Sequence, residues 1–401
     1  MGNSPLKLVE KAPDEGSDDI SLFRGGIFYR AQVATHLIEI GRWNLLRRIA
    51  LALGVYWLPL VILTALLYRD ELRSLLTDYG LYARIVFAIP VLVIGQILME
   101  GRFRAIVTHV RKAELLGPED VNSLENAIVT VKRLRDSPVP ELVILALVAA
   151  ELVLIWKSKM LVGPSWAVTR SGTATQLKVT GWYYGLVSVP IYNFLLGLNS
   201  WKWLLWSFLL FRLSRMKLKL VATHPDQRGG LGFLGLVPVG FIPIAVALSA
   251  VIGGSWREQI LSGRATLADF LVPAIVLMVL NFAVALIPLL FFVARLSLVR
   301  LRGMLEYGAL VQTRAADFQE RWIERRQGRD SATMGPEVSS LADLSISYGN
   351  IRQMRYFPAD RNSLISLAAA VLLPLFPVVL AEIPMSEIVR SILQAVKAVP
   401  M

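Results

Sequence analysis

Two places in this chain bring together residue types that could do chemistry. The first is the string Thr223–His224–Pro225–Asp226–Gln227–Arg228–Gly229–Gly230, where an imidazole, a carboxylate and a guanidinium fall within five residues. Such a trio could ligate a cation or relay a proton, and a glycine pair lets backbone amides approach an anion. The same residues also make a rigid turn, because proline fixes φ and aspartate bonds nearby backbone amides. Both readings stand at this level. The second place is Glu151, the one carboxylate set well inside an apolar run, LVAAELVLIW. A charge at the bilayer centre costs about 2.5–3.5 kcal/mol on insertion scales, so Glu151 points either to an ion or proton pathway or to a bond with a neighbouring helix. Gln96, Asn193 and Asn281 are the other polar side chains within such runs. They are secondary candidates for lining a path and otherwise serve as interhelical hydrogen-bonding groups.

Enzyme chemistry has no comparable foothold. The three histidines, His36, His109 and His224, lie apart and outside the apolar runs, with no HExxH spacing and no GxSxG elbow anywhere. The glycine pair lacks the Gly-Lys-Ser/Thr ending of a phosphate loop. Zero cysteines exclude disulfides and thiolate metal sites. No catalytic residue, metal site or cofactor is expected.

The elements that must position these residues are membrane spans. Of the 401 residues 55% are hydrophobic, and the mean hydropathy is +0.55, more apolar surface than a water-facing molecule can cover. Runs near 49–68, 85–99, 140–156, 181–200, 231–252, 270–294 and 364–381 approach the roughly 20 residues that cross a hydrocarbon core. The fold class read from them is all-α: a polytopic transmembrane helical bundle of about seven spans, six if the last re-enters at Pro374 and Pro377. The stretch from Gly181 to Phe211 would be about 46 Å long as one helix. A break near Asn199–Ser200 is expected, with Trp201, Trp203 and Trp206 beside Lys202 forming an interfacial belt. Prolines in six of the spans leave carbonyls that only another helix or a wet cavity can satisfy, which suits irregular helices around an interior path.

Four parts follow: an amino-terminal tail (1–44), a transmembrane bundle (45–300) carrying a helical hairpin at 100–138, a helical segment (301–362), and a last membrane segment with an amphipathic tail (363–401). The hairpin breaks at Gly117–Pro118. The 301–362 segment shows Leu301, Met304, Leu305, Gly308, Val311, Ala315, Phe318 and Trp322 at roughly helical spacing, then a turn-rich GRDSATMGPE and a second helix to about Phe357. Ser386 is a candidate cap for the terminal helix. Lysine and arginine near the span ends number 18 on the side of the amino terminus and 9 on the other, which places the amino terminus in the cytoplasm. The formal charge of +12 therefore serves topology and anionic lipid rather than nucleic acid. Arg212, Arg215, Lys217 and Lys219 form the densest lipid-binding set. A homo-oligomer is open.

The His-Pro-Asp string extended through GGLGFL, with the preceding GWYYGLVSVPIYNFLL and RLSRMKLKL, resembles a group of uncharacterised bacterial polytopic membrane proteins. The likeness covers about 55 residues, Gly181 to Gly235, with an echo in MRYFPADRNSL. It implies a bacterial inner-membrane setting and carries no catalytic role. The residues themselves support a channel or transporter for a small ion or solute, with Glu151 on the path and His224, Asp226 and Arg228 at its cytoplasmic mouth. The alternative is a scaffold or sensor acting through its cytoplasmic helices, with a lipid-directed enzyme third.

Overall fold

A computed structural model describes residues 20–39, 43–157, 164–171, 174–324 and 331–383. The 1–19 part of the tail and the terminal amphipathic helix with Ser386 lie outside the described residues. Six helices are long and apolar enough to cross a membrane: α2 (Leu45–Leu67), α3 (Tyr79–Lys112), α6 (Val179–Arg215), α7 (Gly232–Leu261), α8 (Leu267–Glu324) and α10 (Arg361–Val379). A seventh crossing is made by α4 (Pro118–Asp136) and α5 (Val139–Lys157), if this pair, bent by 43°, counts as one span. A short α1 (Ile27–Ala34) precedes them, and α9 (Ser331–Arg352) folds back along α8. The molecule is thus a polytopic helical bundle, because only intrahelical bonding satisfies backbone groups in hydrocarbon.

Helix α7 is the axle, packing on α3, α6, α8 and α10. Two small-residue contacts set its distances. A Cβ on Gly95 would fall 2.4 Å from Pro243 of α7, and one on Gly254 would fall 3.0 Å from the Gly80 Cα. Helix α10 runs parallel to α7 over its whole length. At one end Ser363 donates to the Gly235 carbonyl at 2.7 Å, and at the other Gly253 lies against Pro374, Leu375 and Val378. The last segment therefore traverses the bundle and does not turn back.

Two prolines leave a matching signature. Wide π-helical turns occupy Ala83–Ala88 and Tyr184–Ser188, each ending just before a proline, Pro90 and Pro190. Proline has no N–H to give the carbonyl four residues back, and its ring crowds that carbonyl, so the turn widens to pass it.

The expected break at Asn199–Ser200 does not occur, and α6 is continuous from Val189 to Arg215. The tryptophans explain this. Trp206 stacks edge-on with Phe103, Trp203 packs on Phe241 and donates to the Val284 carbonyl at 3.2 Å, and both rings are buried in the core instead of lying in an interfacial belt. Asn199 returns its amide to the Leu195 carbonyl at 2.8 Å, which keeps the turn helical. The boundary read at 300/301 is likewise crossed without interruption by α8, and α9 begins at Ser331, inside the string read as a turn. Outside the membrane-length part, α8 and α9 pair antiparallel through Gly303 against Ile351 and Gly308 against Tyr348, while Leu301 and Leu305 face outward.

One strand pair was not expected. β1 (Val168–Ser171) and β2 (Ala174–Leu177) form an antiparallel hairpin in the register Val168 to Leu177. It caps the end opposite the amino-terminal segment. There the Trp166 indole donates to Asp78 at 2.8 Å and Lys178 to Glu71 at 3.1 Å.

Candidate functional site

The amino-terminal segment closes the other end of the bundle, and two carboxylates hold it there. Glu100, on α3, accepts the backbone N–H groups of Leu22 (2.8 Å) and Phe23 (3.2 Å), while Arg104 one turn on binds its other oxygen at 2.8 Å. Glu141, in the first turn of α5, accepts the Phe28 N–H at 2.9 Å. Arg135 at the end of α4 donates to the Ser21 carbonyl at 2.6 Å and grips Asp136 with two further bonds. A turn with φ of +89° at Gly26 brings the chain to Glu141, so close that a Cβ there would sit 2.0 Å from Oε1. Only glycine adopts that backbone without strain and leaves the gap open.

Beneath this lid is a small chamber, walled in part by Phe23, Phe28, Tyr29 and Ile38 of the amino-terminal segment. It is lined by Gln32 and Trp43 of the lid region, Gln96 of α3, Glu141 of α5, and Leu198 and Lys202 of α6. The free volume is about 20 Å³, room for about one water. Lys202 is 4% exposed, and no described residue gives it a hydrogen bond or an ion pair within 4.0 Å. Glu141 is the strongest of the charges acting on it, followed by Arg135, Asp136 and Glu100. Arg48 of α2 backs the chamber, donating from Nη2 to Gln96 Oε1 at 2.6 Å, while its Nη1 and the Gln32 Oε1 are buried without partners. Lys202 and the Gln32 side chain thus line the space directly, and Arg48 is connected to it through Gln96. Farther into the bundle, Asn199 and Asn281 each bond their own helix backbone and leave Oδ1 buried and unbonded.

Of the residues singled out in the sequence, Gln96 reaches this chamber and Asn281 lies deeper in the core. Glu151 does not join them. It is exposed on the outer flank of α5, where Oε2 accepts from Asn193 of α6 at 2.6 Å, so these two face away from the interior. The reason is geometric, since among the described helices α5 packs chiefly on α6, and Glu151 falls at the exposed side of that contact. Lys202, Arg48, Gln32 and Glu141 were missed as a group. The available signal was a lysine between two tryptophans in an otherwise apolar helix, which fits a belt as readily as an interior.

The His-Pro-Asp string forms a turn at the same end. Asp226 accepts the backbone N–H groups of Arg228 (2.8 Å), Gly230 (3.2 Å) and Gly232 (2.8 Å), with His224 Nδ1 2.8 Å from its Oδ1. Burial pushes the carboxyl upward, but those donors outweigh it and hold it below the usual carboxylate range. Arg228 is buried, pairs with Asp360 at 2.6 Å and donates to the Ala359 carbonyl at 3.1 Å, tying the turn to the start of α10. His224 is exposed, and the carboxylate's bonds are taken up by the turn. The four cations Arg212, Arg215, Lys217 and Lys219 are all exposed just before it. Among the described residues no group of three or more His, Cys, Asp or Glu is placed to hold a metal ion.

Two outcomes follow from this geometry. Because the Asp226 carboxyl is depressed in the folded state, its stabilisation is fully present above about pH 4 and is lost as the pH falls through the depressed value. Asp226→Asn should cost about 1–3 kcal/mol at neutral pH and flatten that acid-side loss, measured by thermal melts in detergent. Gly26→Ala should lift the lid, raising the rate of tryptic cleavage at Arg24 by about tenfold, since cleavage follows the open population. An unchanged rate would show that the lid does not depend on this turn. No protein-family model, curated protein or solved structure matches the chain.

Proposed function

We propose that the protein moves a small ion or polar solute across a bacterial inner membrane, with the amino-terminal segment as the gate on the cytoplasmic side. The observation that carries this reading is Lys202, an ammonium buried at the end of a membrane-length bundle, with no direct partner among the described residues and a water-sized space beside it. Burying an unpaired charge costs several kcal/mol, and a packed apolar side chain would be the more stable choice. A group kept at that cost marks a site where something polar is bound. Gln32 offers an acceptor to the same occupant, Arg48 supports Gln96 on the chamber wall, and Asn199 and Asn281 are the next polar groups inward. Lid opening exposes the chamber to one side, and the four exposed cations nearby meet anionic headgroups at about 1 kcal/mol each. The test is flux in liposomes over a panel of ions and small charged solutes. Lys202→Met should lower transport at least tenfold while leaving insertion intact. Equal flux in wild type and variant, or none in either, would overturn the reading.

One observation favours a second reading, a scaffold. The α8–α9 hairpin stands clear of the membrane-length part and exposes Leu305 (66%), Leu310 and Ile346 to solvent. These exposed apolar side chains suit docking of another helix. Leu305→Glu with Leu310→Glu should abolish cross-linking to a partner helix while leaving liposome flux unchanged. A cross-linking pattern identical to wild type would count against the scaffold.

A further inference from the structure

We infer that the outer flank of α5 and α6 is a homodimer interface within the membrane, centred on Glu151 and Asn193. This inference does not rest on the transport reading. Glu151 lies 12 residues, about 18 Å, along α5 from Val139, well within membrane depth, and it is exposed on the bundle surface. A carboxyl group turned to hydrocarbon is costly, and one bond to Asn193 answers only one of its oxygens. Glu151 Oε1, the second amide hydrogen of Asn193 and the Asn193 Oδ1 have no bond to any described residue. The pair therefore holds a spare donor and spare acceptors side by side.

That arrangement is complementary to itself. A two-fold axis places the same patch against its copy, so the free amide hydrogen of one protomer meets the free carboxyl oxygen of the other, and the exchange is made twice. The surroundings suit a helix contact. Leu147 (64% exposed) and Leu154 (66%) lie one turn to either side of Glu151 on the same face, and α5 has no other substantial helix neighbour than α6. A lipid offers the carboxyl nothing at this depth, whereas a second copy offers an amide. In membranes such interhelical hydrogen bonds supply specificity on top of close packing.

The full chain contains no cysteine, so single-cysteine reporters are clean. Leu147→Cys in liposomes should give a disulfide-linked dimer under mild oxidation, and Val279→Cys, equally lipid-exposed on α8, should not. In the Leu147→Cys background, Glu151→Leu and Asn193→Leu should each lower the cross-linked fraction at limiting protein density by about tenfold. Thermal melts in detergent separate this from misfolding, since both residues are peripheral and the melting temperature should hold. Equal cross-linking at positions 147 and 279, or a dimer unaffected by both leucine substitutions, would overturn the interface. A lower cross-linked fraction with an unchanged flux per protomer leaves the transport reading standing by itself.

Discussion

Two carboxylates at the boundary of the bundle reach out to the backbone of the amino-terminal segment, and the closed end of the molecule depends on those bonds. Glu100 and Glu141 each sit where a helix meets the lid: Glu100 gives one oxygen to the N–H groups of Leu22 and Phe23 and the other to Arg104, and Glu141 accepts the Phe28 N–H. A segment with few apolar anchors is thereby fixed over the helix ends, and Ile20, Leu22 and Phe23 become part of the core. The cost falls on Lys202. Glu141 gives one oxygen to the lid and forms no ion pair with Lys202 within 4.0 Å among the described residues, and a small chamber remains between them. Lid and chamber are in this sense one device, coupled through a single side chain.

Proline plays a quieter part than a broken-helix transporter would suggest. Pro243 is buried against Gly95 in the contact between α7 and α3, and Pro288 is buried in α8. Pro90 and Pro190 shape wide turns in α3 and α6, and those turns bring Arg84 over the rings of Tyr184 and Tyr192 at 5.4 and 5.8 Å. The prolines thus sit within helix–helix packing contacts rather than beside a wide path.

The His-Pro-Asp turn shows how a motif with catalytic residue types can be absorbed by structure. Three backbone amides converge on Asp226, and Arg228 reaches across to the loop before α10. Helix α10 is thereby anchored at its first turn, and its parallel course beside α7 follows. His224 and Pro225 are the members of the string left exposed.

The membrane-spanning, all-helical nature of the chain was legible in its sequence, because apolar runs of about 20 residues have few other uses and their positions need only counting. The helix ends at Pro118 and after Arg135, the crossing order, and the polar character of Gln96 and Asn281 could be read the same way. What faces what could not. In a helix apolar all round, hydropathy carries no phase, so Glu151 was read onto an interior path and Lys202 into an interfacial belt. Tertiary packing sent Glu151 to the surface and Lys202 into a chamber, because α5 has one neighbour while α6 has several. The continuity of α6 and the place of its tryptophans were likewise settled by partners distant in sequence, Phe103, Phe241 and Val284, which no local pattern announces.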